Sequence, residues 1–589
     1  MEGLKTRGRG DGAAVGATGR MRGWRGSRRW RWGIRLAAVG GSALVLGWVL
    51  GRLEMGQLRE TFQGLRPGWY AAAAGVFGLG MLGAAIRWHL MLRLNHEAVV
   101  HGAASVRMVF ISQFFNTVLG GPSSGDIPKT ALYARWFGVP AADVWAASVL
   151  DRLVATAGGV IFAGLAVMLG LAVGAFDFVG DWEWRMPARW VWGGGLGAMA
   201  VAVGLAVWLR VRPESFLGRA FRALGESGRR LLGSGRRSGH ALLCAVLTVV
   251  MFNLTQALCL QAVSPEPVPW MRLFWMFHVV TMVASLPVTV AGTGLREGAS
   301  MVLLGQYGVA PATAVAGAML TLTIHLGWAG VGAVLWWREQ RLRRRVTRGA
   351  PVRRISAVIP TWNEAANLEA TVAHLRAIPE ICEVLVSDGG STDGTCELAL
   401  RLGCRVLKGA KGRGQQMRLG AAAATGDAVV LVHADTWLGP GAGRAMVRCL
   451  RDPLVVGGGF WKRFRDAPWL MRGSRVRCGL RLWWGGRILG DQGMFVRRSV
   501  LEAVGGVPEQ PLMEEIELCR RLRRVGRLAL AGAGVSTSAR RFTGRGVLRT
   551  YWLMGRVSWD YRRGVPPEEL ARRYEGGGCD AGLERRKPG

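Results

Sequence analysis

Hydrophobic and polar residues follow two different patterns along this chain. Between residues 36 and 336 the apolar residues form long, nearly uncharged runs at 36–51, 68–86, 153–176, 190–209, 241–262, 270–288 and 311–336, with shorter apolar pieces at 104–119 and 295–306. A helix crossing the hydrocarbon core needs about 20 such residues, so these runs predict membrane spans. From Ile355 onward the runs shorten and alternate. "ISAVIP", "CEVLVSD", "CRVLKG" and "DAVVLVHAD" read as strands, and "EAANLEATVAHLRAI", "DGTCELALRLG" and "RGQQMRLGAAAAT" between them as helices. Such alternation predicts a parallel sheet with right-handed crossovers. The expected organisation is a multi-domain chain, an all-α polytopic membrane domain at 36–337 followed by an α/β domain at 355–570. A basic tail at 1–35, a basic linker at 338–354 and a tail at 571–589 complete it, with both tails expected to be disordered.

Two polar interruptions break the apolar half. "FFNTVLGGPSSGDIPKTALYAR" carries Asp126 and Lys129, and "SLPVTVAGTGLREGA" carries Arg296 and Glu297. Broken, Gly-rich helices with ionisable groups persist at membrane depth only where they line protein or a cavity. The alternative is a pair of loops at headgroup level, with Arg296 and Glu297 as a surface pair.

Charge orients this half. The formal net charge is +37, from 76 Lys and Arg against 39 Asp and Glu. The loop at 177–189 holds Asp177, Asp181 and Glu183, whereas 210–240 holds Arg219, Arg222, Arg229, Arg230, Arg236 and Arg237. By the positive-inside rule the second loop, the N-terminus and "REQRLRRRVTRGAPVRR" are cytoplasmic, which needs an even number of crossings, about eight, with one short piece crossing and the other re-entrant or partly exposed. Arginines flanking spans account for the charge through topology and anionic headgroups, without nucleic acid as a partner. "SRRWRW" has the look of a twin-arginine export signal, but the n-region is long and no small-x-small site follows, so 36–51 reads as a first span. The nine cysteines form no C-x-x-C pair, which leaves reduced thiols and neither a zinc site nor a disulfide framework.

The polar residues of the α/β half sit at the carboxyl ends of the predicted strands, where ligands of parallel sheets bind. They are Pro360, Thr361, Asn363 and Glu364 after the first strand, "SDGGSTDG" with Asp388 after the second, and His433 and Asp435 after the fourth. A nucleotide needs a carboxylate for ribose or base (Asp388), a backbone that approaches closely (Gly389, Gly390), and a divalent cation on its diphosphate (Asp435). "STDG" also reads simply as a helix N-cap.

Taken together, "IPTWNEAANL", "VSDGGSTDGT", "GRGQQMRLGAAAATGD", "LVHADT", "GDQGMFVRR" and "PLMEEIELCRRLRRVG" resemble family 2 glycosyltransferases of the A-type nucleotide-sugar fold. The closest likeness is to the subgroup associated with arsenosugar biosynthesis, which has H-A-D-T for D-x-D and an S-A-R-R segment, here Ser538 to Arg541. The resemblance implies a UDP- or GDP-type nucleotide-sugar donor. Pro360, Thr361, Asn363, Glu364, Asp388, Gly389, Ser391, Asp393, Arg413, Gln416, Asp491, Gln492 and Arg540 would bind it. Asp435, with His433, would hold Mn2+ or Mg2+. Glu515 would act as the base of an inverting displacement, oriented by Glu514, with Lys411, Arg413 or Arg540 stabilising the leaving diphosphate. Neighbours on a helix point about 100° apart, so only one of the two glutamates addresses the acceptor. Without the family likeness, the pair reads as a solvated helix face balanced by Arg520 and Arg521.

The apolar half resembles the lysylphosphatidylglycerol-synthase, or flippase-like, transmembrane family. Gly292, Gly294, Arg296 and Glu297 form its G-x-G-x-R-E turn, while "SSGD" stands for its G-G-D and Lys129 for its arginine. The two likenesses imply a glycosyltransferase of the bacterial inner membrane, its catalytic domain cytoplasmic, acting on a lipid or lipid-linked acceptor. The alternatives are a lipid transporter with a regulatory nucleotide sensor, and an arsenosugar- or carotenoid-type transferase merely anchored in the membrane. "RGVLRTYWLMGRVSWDYRRGV" lies either on the membrane surface or against the catalytic core.

Overall fold

The computed structural model describes residues 40, 42–94, 100–118, 124–172, 215–285, 289, 292–345, 351–465, 471, 473–539 and 546–575. Its first half is helical: α1 (Met55–Gln63), α2 (Pro67–Leu94), α3 (Gly102–Val118), α4 (Asp126–Phe137), α5 (Ala141–Ala172), α6 (Phe216–Leu232), α7 (Gly235–Val263), α8 (Trp270–Ala284), α9 (Leu295–Gly305) and α10 (Pro311–Arg345). Four of them, α2, α5, α7 and α10, are long and apolar enough to cross a membrane. The predicted span at 190–209 lies outside the described residues. The one at 270–288 forms the 15-residue α8, about 22 Å at the rise of an α-helix and too short to cross alone.

Both polar interruptions are breaks between paired short helices. Asp126 opens α4, with its carboxylate 2.7 Å from Lys129 Nζ and 2.5 Å from Arg152 Nε. In the second break Gly292 and Gly294 take φ of 76° and 88°, which a side chain rarely adopts, and Glu297 Oε2 accepts the Gly294 N–H at 2.7 Å. Arg296 and Glu297 are buried, which corrects the surface-pair alternative. Nearby, Arg87 on α2 and Asp151 on α5 form a buried ion pair at 2.8 Å.

The second half folds around one eight-stranded sheet in the order β3-β2-β1-β4-β7-β6-β8-β5. The strands are β1 (Ile355–Thr361), β2 (Ile381–Asp388), β3 (Arg405–Lys408), β4 (Ala428–Leu431), β5 (Thr436–Leu438), β6 (Val455–Arg465), β7 (Met494–Arg497) and β8 (Arg527–Ser538). Among the described residues the helices around it are α11 (Ala365–Arg376), α12 (Thr395–Arg401), α13 (Arg413–Ala422), α14 (Ala442–Leu450), α15 (Ser474–Gly485), α16 (Arg498–Ala503), α17 (Glu514–Val525), α18 (Val547–Arg562) and α19 (Pro567–Glu575). β1 to β4 are parallel, as the alternating pattern predicts, and β1 is buried along its whole length because helices cover both faces. β7 pairs antiparallel with both β4 and β6, and β8 runs parallel to β6. The result is a helical membrane-type half followed by a mixed sheet of the A-type glycosyltransferase kind.

The two halves meet through buried charge. α10 continues beyond Trp337 as helix to Arg345, so the predicted linker is helical over its first half. Asp452, just before β6, is fully buried and lies 3.0 Å from Arg343 on α10, 3.4 Å from Arg107 on α3 and 3.3 Å from His101. Glu339 on α10 is paired with Arg107 at 3.0 Å, with Arg343 at 3.1 Å and with Arg527 at the start of β8. Since β6 and β8 run parallel to β1 and β4, this junction grips the amino-terminal edge of the sheet, away from the carboxyl ends of β1 and β4.

Candidate active site

At the carboxyl edge of the sheet one cavity of about 760 Å³ gathers residues from many separate stretches of chain. Pro360, Thr361, Asn363 and Glu364 follow β1, and His433 and Asp435 follow β4. Leu489 to Asp491 precede β7, Leu512, Met513, Glu515 and Ile516 come from the opening of α17, and Thr550, Tyr551, Met554, Val557 and Ser558 from α18. Among the described residues, the non-glycine positions with positive φ are Asn363 at 54° and Met513 at 65°, and both line this cavity. Strained backbone of this kind persists where surrounding structure over-determines it, and it clusters at functional sites.

Met513 sets the phase of α17. With its left-handed residue as N-cap, the helix turns Glu515 into the cavity and Glu514 into the core, where its carboxylate is fully buried. Arg413 at the start of α13 bridges both, paired with Glu514 and 3.5 Å from Glu515. His433 Nε2 lies 3.8 Å from Glu515 Oε1. Gly490 closes this group, since a Cβ there would collide with both Glu515 Oε1 and His433 Nε2. Burial and the neighbouring Glu515 carboxylate push Glu514 up to about 7. Burial opposes ionisation of Glu515 too, but Arg413 and His433 hold it down at about 2. One proton and one charge are thereby divided between two adjacent carboxyls, the arrangement that separates an ionised base from a neutral partner. Arg520 and Arg521 pair instead with Glu517, at 2.7 and 3.0 Å, so the solvated-face alternative does not describe Glu514 and Glu515.

Glu514→Gln reproduces the neutral form of that side chain. Above pH about 7 ionised Glu514 raises the basicity of Glu515, so kcat/KM of the unaltered protein is expected to climb through an inflection near 7. The inflection is expected to vanish in Glu514→Gln, as a pH–rate profile will read directly.

Several of the predicted nucleotide ligands also hold the walls of the site together. Asp388 is buried, its carboxylate accepting from Thr361 Oγ1 at 3.1 Å, Ser391 Oγ at 2.5 Å, and the N–H groups of Gly390 and Ser391, each at 2.8 Å. Although burial opposes it, these bonds hold the carboxyl below the usual carboxylate range, and Asp388 does not line the cavity. Ser391 also accepts the Asn363 N–H, and Asp393 accepts from Ala365 and Thr395, so "SDGGSTDG" locks the β1 and β2 ends together. A Cβ on Gly389 would press on Gln416, whose amide donates to the Thr361 carbonyl at 2.5 Å and the Ser387 carbonyl at 3.2 Å. Gln492 is buried, with its amide on the Phe460 carbonyl at 3.2 Å. Arg413 lines the cavity while engaged by the glutamates, Lys411 stacks over Trp362 in the cavity wall, and Arg540 lies outside the described residues. Asp491 does line the cavity, 2.5 Å from Lys462.

Besides Arg413, the cationic lining comes from residues the motifs do not mark, namely Lys462, Arg481 and Arg487. Among 76 basic residues they carry no distinguishing spacing. For a divalent cation the cavity offers the Asp435 carboxylate and the His433 imidazole, and among the described residues no cluster of three or more Asp, Glu, His or Cys encloses an ion. So few protein donors suit a cation completed by substrate phosphates rather than one caged by protein.

Comparison with known proteins gives a family for each half. Residues 34–332 match the lysylphosphatidylglycerol synthase TM region and residues 356–505 match glycosyl transferase family 2. A curated relative, the uncharacterized glycosyltransferase YaiP of Escherichia coli (strain K12), is 32% identical over 136 residues, 21% of this chain and 34% of that protein. The chain thus spans about a third of the length of that relative. Among solved structures, the mannosyltransferase PcManGT of Pyrobaculum calidifontis, in complex with GDP-Man and Mn2+, is 21% identical. That match covers 41% of this chain and 76% of the other, with a TM-score of 0.29. Glucosyl-3-phosphoglycerate synthase of Mycobacterium tuberculosis, solved with Mn2+, UDP and glucosyl-3-phosphoglycerate, is 23% identical over 32% of this chain and 70% of its own, with a TM-score of 0.25.

Proposed function

The chain belongs to the lysylphosphatidylglycerol synthase transmembrane-region family and carries a family 2 glycosyl transferase domain, and from that premise we propose a membrane-bound inverting glycosyltransferase that uses a nucleotide-sugar donor. The observation that carries the reading is the convergence of His433, Asp435 and Glu515 on one cavity, with Gly490 leaving room between His433 and Glu515. Glu515, held ionised, accepts the proton of an acceptor hydroxyl as its oxygen attacks the anomeric carbon. The bond to the nucleoside diphosphate then breaks in the same step. Asp435 and His433 would hold the divalent cation, Mn2+ or Mg2+, which would supply positive charge to the diphosphate. Lys462, Arg481 and Arg487 add fixed positive charge to the same cavity. Arg413 and neutral Glu514 are positioning residues that keep Glu515 in place.

The acceptor we propose is a lipid or lipid-linked hydroxyl, because a donor site and a lipid-handling domain share one chain whose catalytic half faces the cytoplasm, where nucleotide sugars are made. In the membrane half, the breaks at Asp126 and Lys129 and at Arg296 and Glu297 form its polar site. One observation favours a second reading, a soluble acceptor with the membrane half as anchor: the junction grips the sheet edge opposite the cavity.

The test is donor turnover by the full chain in detergent, screening UDP- and GDP-sugars with Mn2+ or Mg2+. Asp435→Ala is expected to weaken metal-dependent donor binding by about tenfold or more, read by titration calorimetry with and without chelator. Donor binding that ignores both chelator and Asp435→Ala sinks the assignment of the cation.

A further inference from the structure

α18 has two faces of opposite character. Inward, Tyr551, Met554 and Val557 line the catalytic cavity, and Tyr551 and Met554 pack with Phe464 at the end of β6. Outward, the helix exposes Leu548, Arg549, Trp552, Arg556, Trp559, Arg562 and Arg563 in steps of three and four. Three of these are large apolar side chains left in solvent, Leu548 at 70%, Trp552 at 56% and Trp559 at 59%. The neighbouring α15, joined to α18 by an Arg477–Tyr551 hydrogen bond of 2.9 Å, exposes Val476 at 64% and Leu480 at 52%.

An apolar stripe this size on a soluble face is costly without a partner. Tryptophans interleaved with arginines, on a helix with a polar surround, suit the boundary between headgroups and acyl chains, where indole rings sit and guanidiniums meet anionic lipid. The chain's own spans, α2, α5, α7 and α10, keep that surface within reach. The junction at Asp452 cannot itself bring the cavity to the bilayer. Lys462 lies seven strand steps beyond the start of β6 at Val455, roughly 23 Å from the junction end at the rise of a strand. Docking at α18 as well as at the junction therefore requires the strands to lie along the membrane.

We infer that the outer face of α18, with Val476 and Leu480 of α15, docks on the anionic cytoplasmic surface of the bilayer, so that the wall of the catalytic cavity is itself a membrane-surface element. This rests on the proposed orientation and lipid acceptor, and it deepens them. An acceptor hydroxyl at headgroup depth enters beside α18 without leaving the membrane, past Tyr551 and Met554.

The experiment uses the full chain reconstituted into vesicles of phosphatidylcholine, with or without phosphatidylglycerol, doped with a phospholipid carrying a diazirine near its headgroup. After illumination, adducts are mapped by peptide mass spectrometry. Adducts are expected across 547–562 as well as in the spans, enriched about tenfold by phosphatidylglycerol and reduced to the same degree by high salt. Trp552→Glu with Trp559→Glu is expected to abolish the 547–562 adducts while leaving those in α5 and α7 unchanged. Both tryptophans are exposed, so donor hydrolysis by the variant, expected unaltered, reports that the catalytic half is folded. Labelled spans beside an unlabelled 547–562 overturn the inference. So does a shift from dimer to monomer in the variant without loss of lipid adducts, which makes this face a contact between copies. If adducts form at 547–562 but no nucleotide sugar is ever turned over, the docking surface stands and the enzymatic reading falls.

Discussion

Glu515→Gln is expected to lower sugar transfer by about three orders of magnitude while leaving donor binding within twofold, the loss characteristic of removing a general base. The amide keeps the size of the side chain and its place beside Gly490, so the cavity keeps its shape. What disappears is the acceptor of the proton, along with the negative charge that Arg413 and His433 hold in place. Glu514→Gln is the necessary contrast. The same chemical change one residue earlier, on a carboxyl already neutral below about 7, is expected to cost less than tenfold at neutral pH. Initial rates at saturating donor, with binding measured separately, decide between the two. Near-normal transfer in Glu515→Gln together with its loss in Glu514→Gln exchanges the roles. Full biological function without turnover in either variant points to a transporter with a nucleotide sensor.

The distinction between these glutamates marks where sequence reading stops. The motif "MEEIE" brings both to the opening of one helix, and helical geometry says that they diverge, but which one enters the cavity depends on the left-handed backbone of Met513, an ordinary-looking residue in the string. The alternating β1 to β4 core was legible because parallel strands covered on both faces are uninterrupted apolar runs. β5 was not, since a three-residue strand pairing with β8 a hundred positions later leaves no local period. Asp388 shows a subtler ambiguity. A carboxylate followed by glycines and hydroxyls has the same spelling whether it faces a ligand or its own turn, and here its own turn takes its hydrogen bonds. Hydropathy found the long helices, and the two breaks declared themselves through glycine and charge. The junction did not, because Arg107, Glu339, Arg343, Asp452 and Arg527 come from distant parts of the chain, and each arginine alone reads as the flank of a span.

That junction carries the second large effect. Asp452→Ala is expected to cost about 3–5 kcal/mol in the contact between the two halves, the range for removing one partner of a buried ion network. The cost comes less from the lost attraction than from what remains. Arg343, Arg107 and His101 stay packed around a site without its carboxylate, leaving Glu339 as the carboxylate of this network for three guanidiniums. The Leu454 N–H loses its acceptor at 3.1 Å as well. Burial alone would raise the Asp452 pKa, yet the hydrogen bond from His101 and the charges of Arg343 and Arg107 hold it well below the usual carboxylate range. A group depressed in this way stabilises the folded contact above its unfolded pKa and loses that contribution as pH falls, so acid weakens the junction even in the unaltered protein. Hydrogen exchange reads both effects. In Asp452→Ala, amides around 101–107 and 338–345 are expected to exchange on the order of a hundredfold faster, about the factor that 3 kcal/mol supplies, while β1 and β4 keep their protection. Donor hydrolysis is expected to persist, because the cavity lies at the far edge of the sheet. Unchanged protection at 101–107 and 338–345 would show that the halves hold together without the Asp452 charge. A double-mutant cycle of Asp452→Ala with Arg343→Ala isolates the pair, with a coupling of about 1–3 kcal/mol expected if the ion pair is what joins membrane and catalytic halves.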